Sequence, residues 1–146
     1  MRPFAFVIDD NRLIANSLVQ MLDLLGFEAQ AAYGAPAAVQ GLSQRVPDVI
    51  ITDIHIQAIS GVELCRYVRR EPRLAHVPIL AISSDTQADM VASVREAGAN
   101  AFLAKPIEIE TLEKALLQVT RSLDATQKLT KEERDVPPPT RPHQSQ

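Results

Sequence analysis

The chain has 146 residues, 46% of them apolar and 23% charged, with a formal net charge of −3 and an isoelectric point near 5.6. That balance suits one globular domain, and its mild acidity leaves no basic footprint for direct binding of nucleic acid or anionic lipid. One cysteine and three histidines supply neither an intrachain disulfide nor a zinc cage, so the core must hold by burial alone.

Taken in chain order, Phe4 to Ile8 is almost continuously apolar, as a strand covered on both faces would be, and it stops at Asp9 and Asp10. Asn11 is placed to cap a helix in which Ile14, Leu18, Met21 and Leu25 recur on one face, with Gly26 as its stop. A weaker strand, Phe27 to Ala32, and a weaker helix, Ala35 to Gln44, follow, Pro36 being tolerable in the first turn. Val49 to Thr52 reads as a buried strand ending at Asp53. The spacing then predicts a helix over Gly61 to Arg70, carrying Val62, Leu64, Cys65 and Val68 and closed by Pro72.

Val77 to Ile82 is the fourth strand, ending at Ser83, and Thr86 is the expected cap of a helix through Ala97 with Met90 and Val94 inward and Gly98 as its stop. Ala101 to Ala104 is the fifth strand, followed by Lys105. The clearest periodicity lies over Glu108 to Asp124, where Ile109, Leu112, Leu116, Val119 and Leu123 share a face and Glu108, Glu110 and Glu113 suit the helix dipole. Residues 125–146 hold only Ala125, Leu129 and Val136 as apolar members and four of the ten prolines, which predicts a disordered tail behind a domain of residues 1–124. The opening residues carry no signal-peptide pattern and no run of eighteen apolar residues exists, so the expected compartment is the cytoplasm and no membrane partner is expected.

Five strands alternating with five helices predict an α/β, doubly wound parallel sheet with helices on both faces. In such sheets the ligand site lies at the carboxyl ends of the strands. Four strands end there in a reactive side chain: Asp9 and Asp10, Asp53, Ser83 and Lys105. Three carboxylates gathered in one cleft repel unless a hard divalent cation neutralises them, and magnesium, which keeps several waters and bridges to phosphoryl oxygens, fits best. Lys105 and Ser83 would then supply a mobile charge and a hydroxyl donor to a phosphoryl group, one carboxylate being the nucleophile.

Taken singly these residues are unremarkable turn acids, caps and loop hydroxyls; only the set is informative. The set resembles the receiver domains of two-component response regulators. The matching pieces are Asp9-Asp10, the acceptor segment from Asp53 to Gly61, Ser83, and Lys105-Pro106, over about residues 4 to 122. The resemblance implies the flavodoxin-like (βα)5 sandwich with strand order 2-1-3-4-5. It further implies that Asp53 takes a phosphoryl group from the phosphohistidine of a sensor histidine kinase or a histidine phosphotransfer protein. Magnesium would be held directly by Asp10, Asp53 and the backbone carbonyl of His55, and through water by Asp9. By the same resemblance Ser83 and Phe102 are the switch pair, His55 and Asp85 tune the lifetime of the modified state, and the Lys105–Pro106 peptide is cis. The fourth helix, fifth strand and fifth helix would form the output surface toward a downstream protein, or toward a second copy in a homodimer.

The chain departs from the family at Ile56-Gln57, where Met-Pro is usual, and has serine at 83 where threonine is commoner. Loss of proline frees the loop entering the third helix. Two other functions compete: a phosphorylation-independent interaction module, disfavoured by the intact acidic set, and a haloacid-dehalogenase-type phosphohydrolase, disfavoured because His55 stands where that family needs a second Asp. Cys65 reads as a buried small residue without a role. Arg66, Arg69, Arg70 and Arg73 read as a solvated helix face open to an acidic partner surface.

Overall fold

The computed structural model describes residues 2–56 and 59–120. Its elements alternate as β1 (Phe4–Ile8), α1 (Arg12–Leu24), β2 (Glu28–Ala32), α2 (Ala35–Gln44), β3 (Val49–Asp53), α3 (Gly61–Arg70), β4 (Ile79–Ser83), α4 (Ala88–Ala97) and β5 (Ala101–Ala104). A fifth helix, α5, runs over residues 109–120. The strands form one parallel sheet in the order β2-β1-β3-β4-β5, the α/β doubly wound arrangement expected.

Alternation along the strands decides which helix covers which face. Phe4, Phe6, Ile8, Ile50, Ile79 and Ala81 point to one side, where α2, α3 and α4 bury Leu42, Leu64, Val68 and Val94 against them. Ala5, Val7, Val49, Ile51, Leu80 and Ile82 point to the other, where α1 and α5 contribute Leu18, Leu22, Leu112, Leu116 and Val119. The three central strands are buried throughout while β2 and β5 are half-exposed edges, and the edge strand β2 accordingly alternates Glu28 and Gln30 with alanines.

Local signals account for most boundaries. Asn11 caps α1 by accepting the Ile14 N–H at 3.1 Å, and Ser60 caps α3 by accepting the Glu63 N–H at 3.2 Å. Gly26 and Gly98 take positive φ at 95° and 121°, the left-handed conformations that end α1 and α4. Several expected boundaries move, β3 and β4 each running one residue further, to Asp53 and Ser83. Gln87, not Thr86, is the N-cap of α4, because the Asp85 carboxylate accepts the Gln87 N–H at 3.1 Å and carries the loop one residue further. Strand β4 starts at Ile79 and not at Val77: Pro78 has no N–H for the ladder, and the Val77 N–H is spent on Leu74 O. Phe27 falls outside β2 because its N–H closes the end of α1 onto Leu22 O, and Glu108 caps α5 with its carbonyl and does not join it. Leu123 and the expected tail at 125–146 lie outside the described residues.

The basic run divides, Arg66, Arg69 and Arg70 lying on α3 and Arg73 in the turn beyond it. Arg66, Arg70 and Arg73 are exposed, as a solvated face should be. Arg69 is not: it is half-buried and spends its guanidinium on Ala75 O, Val77 O, Gly98 O and Asn100 Oδ1. Helical phase separates them, since Arg69 lies one turn beyond Cys65 and leans toward the end of α4.

Candidate functional site

Strand ends and the loops behind them deliver the polar residues to one edge of the sheet. Asp9 follows β1, Asp53 closes β3, Ser83 closes β4, and Lys105 follows β5. Asp9, Asp53 and Ser83 are buried in a core that is otherwise almost entirely apolar. Buried carboxylates need partners, and each finds the same two kinds. Asp9 Oδ1 accepts the Asn11 N–H at 2.9 Å, and Asp53 Oδ1 accepts the His55 N–H at 3.2 Å, two Asx turns of the same form at neighbouring strand ends. Their remaining oxygens meet on one ammonium: Lys105 Nζ stands 3.1 Å from Asp9 Oδ2 and 3.2 Å from Asp53 Oδ2.

Burial draws the Lys105 pKa down, but its hydrogen bond to Asp9 and the charges of Asp53 and Asp9 outweigh that, and the net shift is upward. The ammonium is thus fixed as a cation between two anions. The Lys105–Pro106 peptide is cis, as the resemblance implied.

Ser83 has no solvent exposure; its Oγ accepts the Asp85 N–H at 2.9 Å and its carbonyl accepts the Lys105 N–H at 2.9 Å. The hydroxyl proton therefore remains to donate toward the cleft. His55 and Asp85 rise on the solvent side, with Nε2 3.8 Å from Oδ2, and so bridge the loops after β3 and β4. Asp10 is half-buried, and its Oδ1 lies beside Gly34, 3.7 Å from where a Cβ there would be. Phe102 is half-buried on β5 and packs against the core beneath α4.

The structure thus brings Asp9, Asp53 and Lys105 into direct contact and sets Ser83, Asp85 and His55 on adjoining strand ends. Asp10, next along the chain from Asp9, faces Gly34 in the β2–α2 turn. Among the described residues no group of three or more acidic, histidine or cysteine side chains closes on a metal by itself. Magnesium does not require such a cage: the ion takes one or two carboxylates, keeps several waters and leaves room for a phosphoryl oxygen. Three aspartates against one lysine also leave an excess of negative charge that a divalent cation would balance.

Sequence reasoning missed two contributors. Gly61 allows α3 to start against the loop behind Asp53, because a Cβ there would fall 2.4 Å from Ile54 Cα, and its N–H donates to Ile54 O at 2.9 Å. Ser60 caps the same helix. The signal for Ser60 was present as Ser60 followed three residues later by Glu63, a capping-box spacing, whereas the need for Gly61 is tertiary. Gln57, part of the departure noted in the acceptor loop, lies outside the described residues.

Comparison with known proteins bears on the family and the fold. The family model for the response regulator receiver domain matches residues 5–117. The response regulator MprA of Mycobacterium bovis is 30% identical over 127 residues, which are 84% of this chain and 54% of that protein, so the chain spans about half the length of that curated relative. The solved chemotaxis response regulator CheY4 of Vibrio cholerae superposes with a TM-score of 0.77 at 27% identity, covering 82% of this chain and 99% of that one. The receiver domain of a sensor histidine kinase from Pseudomonas aeruginosa, solved with magnesium coordinated in its active-site cleft, gives 0.76 at 22% identity, over 82% and 98% of the two chains.

Proposed function

The chain belongs to the response regulator receiver family of two-component signal transduction, and we propose that Asp53 is its phosphoacceptor. The observation that carries this reading is the shared ammonium of Lys105, which holds Asp53 beside Asp9 at the carboxyl edge of the sheet.

The donor is a phosphohistidine on a sensor kinase or a phosphotransfer protein. An Asp53 carboxylate oxygen attacks phosphorus, the P–N bond breaks, and the imidazole leaves, taking a proton as it does so. Asp10, Asp53 and the His55 carbonyl would hold magnesium, with Asp9 reaching it through water; the magnesium in the active-site cleft of the Pseudomonas aeruginosa receiver supports the choice of metal. When bound, the ion supplies charge neutralisation and orients the phosphoryl oxygens. Lys105 binds a phosphoryl oxygen and offsets its charge. Ser83 donates its hydroxyl to another, which draws the loop after β4 inward. His55 and Asp85 flank the mouth and govern the access of water to the acyl phosphate, and so its lifetime.

The chain catalyses only its own phosphorylation and dephosphorylation, in the cytoplasm, and signals through protein contact. Phe102 turns inward as Ser83 moves, and the face formed by α4, β5 and α5 meets the downstream protein or a second copy. Residues 1–124 form the receiver and 125–146 a Pro-rich tail or linker. No described helix is long and apolar enough to cross a membrane.

Incubation with a small phosphodonor and magnesium, read by intact mass, tests the reading. The parent should gain one phosphoryl group and Asp53→Asn none. A parent that stays unmodified with every donor contradicts it.

A further inference from the structure

The end of the β4–β5 pair farthest from Asp53 is tied by one side chain. Arg69, near the end of α3, donates through Nε and Nη2 to Gly98 O at 3.1 and 2.7 Å, and through Nη1 to Ala75 O and Val77 O at 3.0 and 2.7 Å. Nη2 also donates to Asn100 Oδ1 at 2.9 Å. A guanidinium has five N–H donors, so every one of them is engaged, and none meets a carboxylate. All but one of the acceptors are backbone carbonyls of turns, including the one that ends α4, where the helix dipole favours a cation.

Asn100 extends the tie. Its Oδ1 also accepts the Ile79 N–H at 2.8 Å, while its own N–H donates to Ile79 O at 2.8 Å, so the first residue of β4 is held from both sides. Gly98 makes the approach feasible: a Cβ there would lie 2.6 Å from Arg69 Cγ, and its φ is +121°. From Ile79 the fully buried strand runs without interruption to Ser83.

Helix α4 is held unequally. Its buried residues, Val94 and Ala97, lie in its second half, beside the Arg69 tie. Its first turn has no fully buried residue, only half-buried Met90 and Val91 beside exposed Ala88 and Asp89, and its N-cap Gln87 makes no side-chain cap. The end of the helix is held by full burial and the Arg69 tie, the start only by Met90 and the Asp85–Gln87 turn.

We propose that Arg69 and Asn100 are positioning residues for the phosphoryl response. They fix the base of β4 and the end of α4, so that movement begun at Ser83 swings the start of α4 about a stationary base and does not spread through the α4–β5 turn. This rests on the phosphoacceptor reading of Asp53. It assigns to two residues outside the site the task of confining the signal to one half of α4.

Hydrogen exchange of the full chain, with and without fluoroberyllate and magnesium as the phosphoryl mimic, tests it. In the parent the mimic should change exchange over residues 84–91 and leave 94–100 unchanged. In Arg69→Gln and in Arg69→Lys, which keeps the charge and loses the planar fork, the mimic-dependent change should reach 94–100 and alter exchange there by about tenfold. A variant that exchanges faster everywhere but confines the mimic's effect as the parent does overturns the proposal and leaves Arg69 a purely structural residue. So does rescue by lysine. Should Arg69→Gln fail to fold, Asn100→Ala, which removes the acceptor shared by Ile79 and Arg69, decides by the same pattern. Protection at His55 and Asp85 reads the underlying site separately: its absence in the parent overturns the phosphoacceptor reading and the proposal together, whereas its presence with an unconfined response overturns the proposal alone.

Discussion

Lys105 Nζ lies 3.1 Å from Asp9 Oδ2, across 96 positions of sequence, and the Asp9 side chain is only 1% exposed. A carboxylate that deep in a parallel sheet is stable as an anion only while a cation stays beside it. The pair therefore closes the fold and readies the site through one contact, since the same ammonium reaches Asp53 at 3.2 Å.

Removing that cation should cost stability and make the site more dependent on metal. Lys105→Met, close to isosteric, is expected to lower the unfolding free energy in metal-free urea titrations by about 3 kcal/mol, the scale of a broken buried pair. Magnesium should restore more stability to the variant than it adds to the parent. Equal magnesium responses in the two proteins would contradict this.

The same pair sets a pH dependence with a definite sign. Lys105 has its pKa raised above the ordinary 10.5, burial opposing and the Asp9 hydrogen bond and the Asp53 and Asp9 charges prevailing. Its stabilisation is fully present below 10.5 and is lost as pH rises through the raised value. In metal-free buffer the stability gap between the parent and Lys105→Met should stay constant from roughly pH 7 to pH 9 and close only in strong alkali. A gap that closes near neutrality would show that the ammonium is not held by these carboxylates.

Cys65 offers a probe of global opening. Burial pushes its thiol up to about 11, and its side chain faces the core under α3. A disulfide reagent at pH 8 should therefore modify it in native protein only as fast as the chain opens, and at once in urea. Immediate stoichiometric reaction without denaturant would contradict the packing of α3.

Gly61 should tie folding to chemistry. The Cβ of Gly61→Ala would press on Ile54 at 2.4 Å from Cα and 2.9 Å from Cβ, so the backbone behind Asp53 must shift. Destabilisation of about 2 kcal/mol is expected. Phosphorylation should slow as well, because that backbone aims the His55 N–H at Asp53. An alanine variant phosphorylated at the parent's rate would separate the two.

Much of this was legible in the sequence because the central strands are covered on both faces and end in charged or hydroxyl side chains; Phe4 to Asp10, Val49 to Asp53 and Ile79 to Ser83 announce both element and site. The family's residues at 9, 10, 53, 83 and 105 fixed the expected strand order, which periodicity alone could not. What escaped depends on tertiary contacts. Thr86 and Gln87 are indistinguishable as caps until the Asp85 carboxylate takes the Gln87 N–H. Arg69 looks like its neighbours Arg66 and Arg70 until α3 is placed beside the end of α4. The near-contact that requires glycine at 61 is with Ile54 in the preceding loop, and no spacing rule reveals it.

The central claim is that residue 53, among three acids at one sheet edge, carries the phosphoryl group. Loading the chain from a small phosphodonor with magnesium, reducing with borohydride and sequencing the peptides by mass spectrometry reads this directly, because reduction converts an aspartyl phosphate to homoserine. The account predicts homoserine at position 53 alone. Homoserine at position 9 or 10 with Asp53 intact would contradict it.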